Sequence, residues 1–322
     1  MPAFARSQPL AHPSLLGLAG LLLTVLTACQ SVASSQFGGA ETRLDPRVDE
    51  ASGLIASPHH AGIYWIHNDS RAFFDSQPTE PLLYAIDIAG RVRGELWVEG
   101  LKPYDWEAIS AFRWKGRAYL LIGDLGDNRA RRTRGIRLDA IEEPGRIEGR
   151  WQLKPAWTLR LTYPDGPRDA EAMAVDGTEG AVYILSKRDL PARLYRAPLL
   201  AGKGGTRTLE YLGEITAFDA PLTTGMPSEL KVLPFTHQPT DMAFAPDGGE
   251  VAVLTYAHLY VFPRQAGQSW LEALRGTPKV YDLPGARQYE GLSYSHDGKA
   301  WVIVQEGEGS PVLVLPRSKP VN

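Results

Sequence analysis

Five acidic residues, Glu50, Glu107, Glu171, Asp241 and Glu290, each open a short apolar run, at intervals of 57, 64, 70 and 49 residues. Several carboxylates facing one small volume repel, so some must be protonated, paired with a cation or bound to a metal ion. An oxygen-only donor set suits Ca2+, with Mg2+ and Mn2+ as poorer matches. A second polar set closes the apolar run that follows: Asn68 and Asp69, then Asp124 with Asp127 and Asn128, then Lys187, then Glu306. The metal candidates are therefore Glu50, Glu107, Glu171, Asp241, Glu290, Asp69, Asp124 and Asn128, and the candidates to contact a substrate are Asn68, Asp127, Lys187 and Glu306. The plainer reading of the acids is structural, with each carboxylate accepting backbone amides and locking neighbouring units together. Lys187 stands where three of the other copies carry Asp or Glu. It either neutralises the carboxylates or holds an anionic group. Arg129, Arg131, Arg132 and Arg134 form a basic run beside the same positions; as a charge run it reads first as a solvated loop, with anion binding as the alternative.

The elements that position these residues repeat. Asp105 to Phe112, a polar turn at Gly116, and Ala118 to Asn128 read as two strands joined by a hairpin, which brings Glu107 beside Asp124, Asp127 and Asn128. The same unit recurs from Glu50, Glu171, Asp241 and Glu290, at a spacing near the length of one four-stranded propeller blade. The inner runs, such as Ala181 to Leu185, are apolar throughout, as strands buried on both faces should be. The prediction is an all-β, five-bladed β-propeller of four-stranded antiparallel blades, with a degenerate sixth blade left open. The last blade lacks an outer strand after Pro311 to Leu315, and Glu41 to Val48 is expected to supply it and close the ring. Later strands are expected at Leu82 to Asp87, Arg91 to Val98, Gly135 to Ile141, Trp151 to Thr162, Arg193 to Arg196, Thr208 to Ile215, His258 to Pro263 and Lys279 to Leu283, with one helical turn at Ser269 to Arg275. Trp65 and Trp106 are expected to pack between blades. Phe218 to Gln238, rich in proline, reads as an insertion near the functional face.

The N-terminus reads as a targeting segment. Arg6, the Leu-rich stretch from Leu15 to Leu26, and Leu26-Thr27-Ala28-Cys29 resemble a lipoprotein signal. Residues 1–28 are then removed, Cys29 carries lipid, 29–40 is a tether, and 41–322 is one propeller domain. Gln30 after the cysteine resembles a sorting signal for the outer membrane, with the domain expected in the periplasm, anchored to outer-membrane lipid through Cys29 and monomeric. Cys29 is the only cysteine, so a lipidated chain has no thiol for disulfides, metal or nucleophilic catalysis. A formal charge of −3 gives no sign of nucleic-acid binding. Ser228-Glu229-Leu230-Lys231 fits a Ser-x-x-Lys pattern without its partner motifs. His59 and His60 fall in a hairpin turn, and His67 reads as packing rather than as a general base.

Glu50-Ala51-Ser52-Gly53-Leu54, His67-Asn68-Asp69-Ser70, Asp105-Trp106-Glu107-Ala108-Ile109, Gly123-Asp124-Leu125-Gly126-Asp127-Asn128 and Tyr289-Glu290-Gly291-Leu292 together resemble a group of secreted bacterial propellers. They are similar to phytase-like and esterase-like propellers and, remotely, to the gluconolactonase and paraoxonase superfamily. The resemblance implies a divalent ion, commonly calcium, in the central channel. It makes Glu50, Glu107, Glu171 and Glu290 ligand candidates, with Asn68, Asp69, Asp124 and Asn128 nearby. It also implies hydrolysis of a lactone, ester or phosphoester of a small molecule. A metal-dependent hydrolase and a non-catalytic binding or scaffold propeller holding another envelope component both stay open.

Overall fold

The computed structural model describes residues 42–69, 80–199, 205–219, 236–284 and 288–317. The targeting segment, Cys29, the tether, Ser70, the Ser-x-x-Lys stretch and most of the proline-rich insertion lie outside the described residues. The short strand β1 (Thr42–Arg43) opens the described chain. Blade one is β2 (Ala51–Ala56), β3 (Ile63–Asn68), β4 (Leu82–Asp87) and β5 (Val92–Val98); blade two begins with β6 (Trp106–Trp114), β7 (Arg117–Asp124) and β8 (Ile136–Glu142). After β9 (Gly149–Leu153), β10 (Trp157–Thr162) completes blade two. Blade three is β11 (Ala170–Asp176), β12 (Ala181–Ser186) and β13 (Ala192–Pro198), then, past β14 (Thr206–Thr208), β15 (Glu210–Ile215). Blade four is β16 (Pro239–Phe244), β17 (Glu250–Thr255), β18 (His258–Pro263) and β19 (Lys279–Asp282). Blade five is β20 (Tyr289–Tyr294), β21 (Ala300–Gln305) and β22 (Pro311–Pro316). Its outer strand is β1, antiparallel to β22 with Thr42 opposite Val312, so the two ends of the propeller chain close the ring as expected.

The inner strands β2, β6, β11, β16 and β20 touch one another in sequence and complete a ring of five. β12 is buried at every position, whereas β15 on the outside buries only Gly213 and Ile215. That gradient is what stacking sheets around an axis requires: a strand between two blades meets apolar neighbours on both faces, and an outer strand meets water. Each gap between neighbouring blades holds its own apolar cluster. Trp65 and Trp106, both fully buried, lie in the one between blades one and two. Hydroxyls bridge the gaps as well: Thr240 Oγ1 donates to the Tyr289 carbonyl at 2.7 Å, and Ser293 Oγ accepts the Ala56 amide at 2.8 Å.

Two outer strands depart from the sequence expectation. Gly149 to Leu153 leaves blade two and pairs in parallel with β5 of blade one, and Thr206 to Thr208 leaves blade three for β10 of blade two. Their side chains are mostly exposed, so no apolar pattern assigns them to a blade, and an open edge captured them. The helix α1 (Trp270–Leu274) forms where expected, with Ser269 and Glu272 making a reciprocal cap and Trp270 buried between blade three, where its indole donates to Asp176, and blade four, where it stacks on Phe244. Among the described residues no helix is long and apolar enough to cross a membrane.

Candidate functional site

Every inner strand carries an irregularity at the same register, where one extra residue interrupts pairing with the second strand. The extra residues are Gly53, Glu107, Glu171, Thr240 and Glu290. A bulge re-aims its side chain out of the alternating pattern, so equivalence follows the bulge rather than the acid. Glu107, Glu171 and Glu290 are true equivalents. Glu50 precedes its bulge by three residues, and Asp241 follows its bulge by one. The second strands contribute the residue just past their bulge-side pair: Asn68, Leu125, Lys187, Tyr256 and Glu306 share one register position. Tyr256 has no acidic or basic signature and gave no signal in the sequence; only its register with Lys187 and Glu306 marks it.

Lys187 is the buried centre of this group. Its Nζ donates to Glu171 Oε1 and, at 2.7 Å, to the Tyr256 hydroxyl, and the ammonium stands 4.9 Å from the Tyr256 ring centroid. Burial alone would lower its pKa, but the charge of Glu171, then Tyr256, Glu290 and Glu107, outweighs that and holds it well above the ordinary lysine value. Glu171 is pushed up to about 7, chiefly by burial, against the pull of Lys187. Glu107 is raised well above the carboxylate range by burial and then by Asp69, Glu171 and Asp105. Glu290 is raised likewise by burial, then by Glu171 and Glu306. Burial, then a hydrogen bond with Glu50 and its charge, push Glu306 up to about 8. Asp69, Asp105 and Glu107 present oxygens that all lie within 4.8 Å of one another. A Cβ on Gly126 would overlap the Asp105 carboxylate and stand 2.7 Å from Glu107 Oε1, so the glycine lets both carboxylates approach the backbone there. Ser52 Oγ donates to Glu107 Oε2 at 3.3 Å.

The remaining candidates are held elsewhere. Asp241, fully buried, accepts the Leu292 amide of blade five and its own neighbour Met242, each at 2.7 Å, and also the Leu54 amide of blade one; burial nevertheless pushes its pKa well up. It ties three blades together, the structural role open to it from the sequence. Asp124 faces away from the cluster, accepting the Tyr104 and Asp105 amides at 3.2 Å and pairing with Arg132 at 2.9 Å and Arg137 at 3.3 Å. Asp127 caps the following loop, accepting the Arg131 and Arg132 amides at 2.8 and 2.7 Å. Asn128 accepts from Arg188, which also pairs with Asp169 at 2.6 Å. Asn68 donates to the Arg47 carbonyl at 2.9 Å and to Asp49 at 3.0 Å, fastening the segment before β2. His67 is wholly buried edge-on to Trp106, with centroids 5.6 Å apart, and burial lowers its pKa to about 4, so it stays neutral and packs. Asp105, which opens the hairpin but was not among the ligand candidates, joins the cluster because Gly126 and Glu107 converge on its carboxylate.

No protein-family model matches the chain, and no curated protein matches it. Solved structures that align include glutaminyl cyclase of Myxococcus xanthus, at 12% identity over 87% of this chain and 96% of that one, with a TM-score of 0.46. A gluconolactonase of Xanthomonas campestris aligns at 11% identity over 83% and 72%, with a TM-score of 0.41. A luciferin-regenerating enzyme aligns at 8% identity over 88% and 96%, with a TM-score of 0.43. These likenesses concern the course of the chain alone. By its strand pairing and closure, the chain is a five-bladed β-propeller.

Proposed function

We propose that the protein is a cell-envelope propeller whose carboxylate cluster, at one end of the central channel, binds a divalent cation and acts there on an ester or phosphoester of a small molecule. The observation that carries this reading is an imbalance of charge. Glu50, Asp69, Asp105, Glu107, Glu171, Glu290 and Glu306 perturb one another through space, and among the described residues Lys187 is the fully buried cation set among them. Without a further cation this end must take up protons, which is what the upward shifts of Glu107, Glu290 and Glu306 express. Asp69, Asp105 and Glu107 fit an oxygen-liganded ion of the calcium type, with Gly126 letting the Asp105 and Glu107 carboxylates converge against the backbone.

When bound, such an ion supplies Lewis acidity to an ester or phosphoryl oxygen. The chain's own groups divide the remaining work. Lys187, committed to Glu171 and Tyr256, is a counter-charge that keeps the ring together rather than a substrate ligand. Glu290 lies outside the close trio, and its burial raises its pKa well above the carboxylate range before any neighbouring charge is counted, the direction a general acid needs. The N-terminal sequence supports the envelope location: in this reading, cleavage before Cys29 and lipidation there anchor the domain to the outer membrane, with the propeller in the periplasm. Cys29→Ser should release the protein into the soluble periplasmic fraction, and retention with the membrane would dismiss the anchor.

One observation favours a second reading. Asp241 spends its carboxylate entirely on backbone amides of three blades, and a ring whose acids all did so would belong to a scaffold that binds another envelope component. Metal analysis of the purified domain, residues 41–322, with thermal melting in EDTA and in added calcium, separates the two. A stoichiometric ion whose removal lowers the melting temperature supports the site and justifies screening lactones, esters and phosphoesters. No ion and no shift leaves the scaffold.

A further inference from the structure

A cavity of about 450 Å3 opens on the rim of blade two, between the connection from β5 to β6, the loop from β7 to β8, and β10. Its lining contains six cations, Lys102, Arg131, Arg132, Arg134, Arg137 and Arg160, against one acid, Asp124. The chain as a whole carries a formal charge of −3. The cavity therefore concentrates the charge that the rest of the protein lacks.

Two of the six form a fixed floor. Arg132 pairs with Asp124 Oδ1 at 2.9 Å, donates to the Gly126 carbonyl at 3.0 Å and stacks 4.6 Å over the Tyr104 ring. Arg137 pairs with Asp139 Oδ2 at 2.7 Å and Asp124 Oδ2 at 3.3 Å. Asp124 and Asp139 are 2% and 0% exposed, so the floor guanidiniums are oriented from behind by buried acids. The other four, Lys102, Arg131, Arg134 and Arg160, are exposed and have no ion pair among the described residues. Arg160 stands on β10, and the β7–β8 loop that carries Arg131 and Arg134 is not a solvated tail. Asp127 caps it, the Thr133 amide bonds the Arg131 carbonyl at 2.8 Å, and the Gly135 amide bonds the Arg132 carbonyl at 2.8 Å. Gly135, at φ +81°, packs so tightly on the Leu161 carbonyl that a Cβ would overlap it. Four like charges held around one concave space repel one another, and an anion relieves that repulsion while the low-dielectric wall behind it strengthens its attraction. Guanidinium forks match the oxygens of phosphate in pairs. The volume is that of a small-molecule site rather than a track for a polymer.

We propose that this rim cavity is a binding site for a multiply charged phosphate group, of the pyrophosphate or phosphoester class, separate from the carboxylate cluster and independent of any cation held there. Inorganic pyrophosphate is the probe, titrated calorimetrically into the domain in EDTA and low salt, so that an ion at the cluster plays no part. One site is expected, weakening as salt is raised. Arg134→Ala with Arg160→Ala removes two exposed cations without an ion pair among the described residues and should weaken binding about 25-fold, roughly fivefold for each guanidinium removed. Arg113→Ala with Lys115→Ala, at the opposite end of the β6–β7 hairpin, lowers the net charge equally and should leave binding unchanged. Absence of binding at millimolar pyrophosphate, parent-like affinity in the first pair, or equal weakening in the second each overturns the site. Where pyrophosphate binds as expected, phosphatidylglycerol vesicles distinguish the source. Sedimentation of the domain with them, reversed by pyrophosphate, assigns the phosphate to a lipid headgroup, and its absence to a soluble ligand.

Discussion

Replacing Lys187 with methionine tests whether the cluster depends on its buried cation. The Lys187 and Glu171 side chains are 4% and 7% exposed, so deleting the ammonium strands a carboxylate in a medium that cannot solvate it, beside Glu107 and Glu290. Removing one partner of a buried ion pair costs about 3–5 kcal/mol. For a domain of this size that is a fall of roughly 5–8 °C in melting temperature. Glu171 already stands at about 7 with the lysine present, and without it the value climbs further. The variant therefore shelters behind a protonated Glu171 at pH 6 and shows the larger loss at pH 8. The double variant Lys187→Met with Glu171→Gln removes both charges and should recover most of the deficit. Melting and urea unfolding of parent, single and double variants at both pH values, in EDTA, form the assay. A single variant within about 1 °C of the parent at pH 8, or a double variant no better than the single, would refute the argument.

Gly126→Ala places a methyl group between Asp105 and Glu107 and should reduce calcium affinity at least tenfold while the far side of the ring stays folded. Calcium titration reads this, and parent-like affinity would remove Asp105 and Glu107 from the ligand set. Asp241→Asn presents an NH2 group to a backbone amide and should cost about 1–3 kcal/mol without changing ion stoichiometry; a lost ion would instead make Asp241 a ligand. Glu306 keeps its proton to about pH 8 in the folded chain, whereas an ordinary glutamate loses it near pH 4.5. The folded state thus holds the extra proton between those values, and stability falls as pH rises through that window. In EDTA the melting temperature should decline from pH 5 to pH 8, and calcium should flatten the decline; a rise over the same interval in EDTA contradicts the assignment.

The repeat was legible because burial on both faces leaves continuous apolar runs, as in Ala181 to Leu185, and because each blade begins with the same hairpin. The closing strand was legible from the missing partner of Pro311 to Leu315. What the sequence hid is set by backbone irregularity. Aligning the blades on their acids puts Glu50 and Asp241 level with Glu107, but the bulges fall at Gly53 and Thr240, residues with no charge to announce them. Asp241 consequently points its carboxylate at amides, and Glu50 lies against Glu306. Tyr256 was invisible for the same reason, since a tyrosine after an apolar strand reads as core until Lys187 is found beneath its hydroxyl. The crossing strands at Gly149 to Leu153 and Thr206 to Thr208 were missed because an edge accepts any extended segment, and their exposed side chains carry no address.

Those two crossings make the ring mechanically uneven. Blade two lends a strand to blade one, blade three lends one to blade two, and β1 stitches blade five to the start of blade one, so three of the five joints are bridged by main-chain ladders. Among the described residues, the joints between blades three and four and between four and five rely on side-chain packing and single bonds such as Thr240 to Tyr289. Blade four is therefore the one joined on neither side by a main-chain ladder among the described residues. It carries Asp241 and Tyr256, which reach across to blades one, three and five, so whatever loosens that blade also loosens the residues holding Lys187 in place.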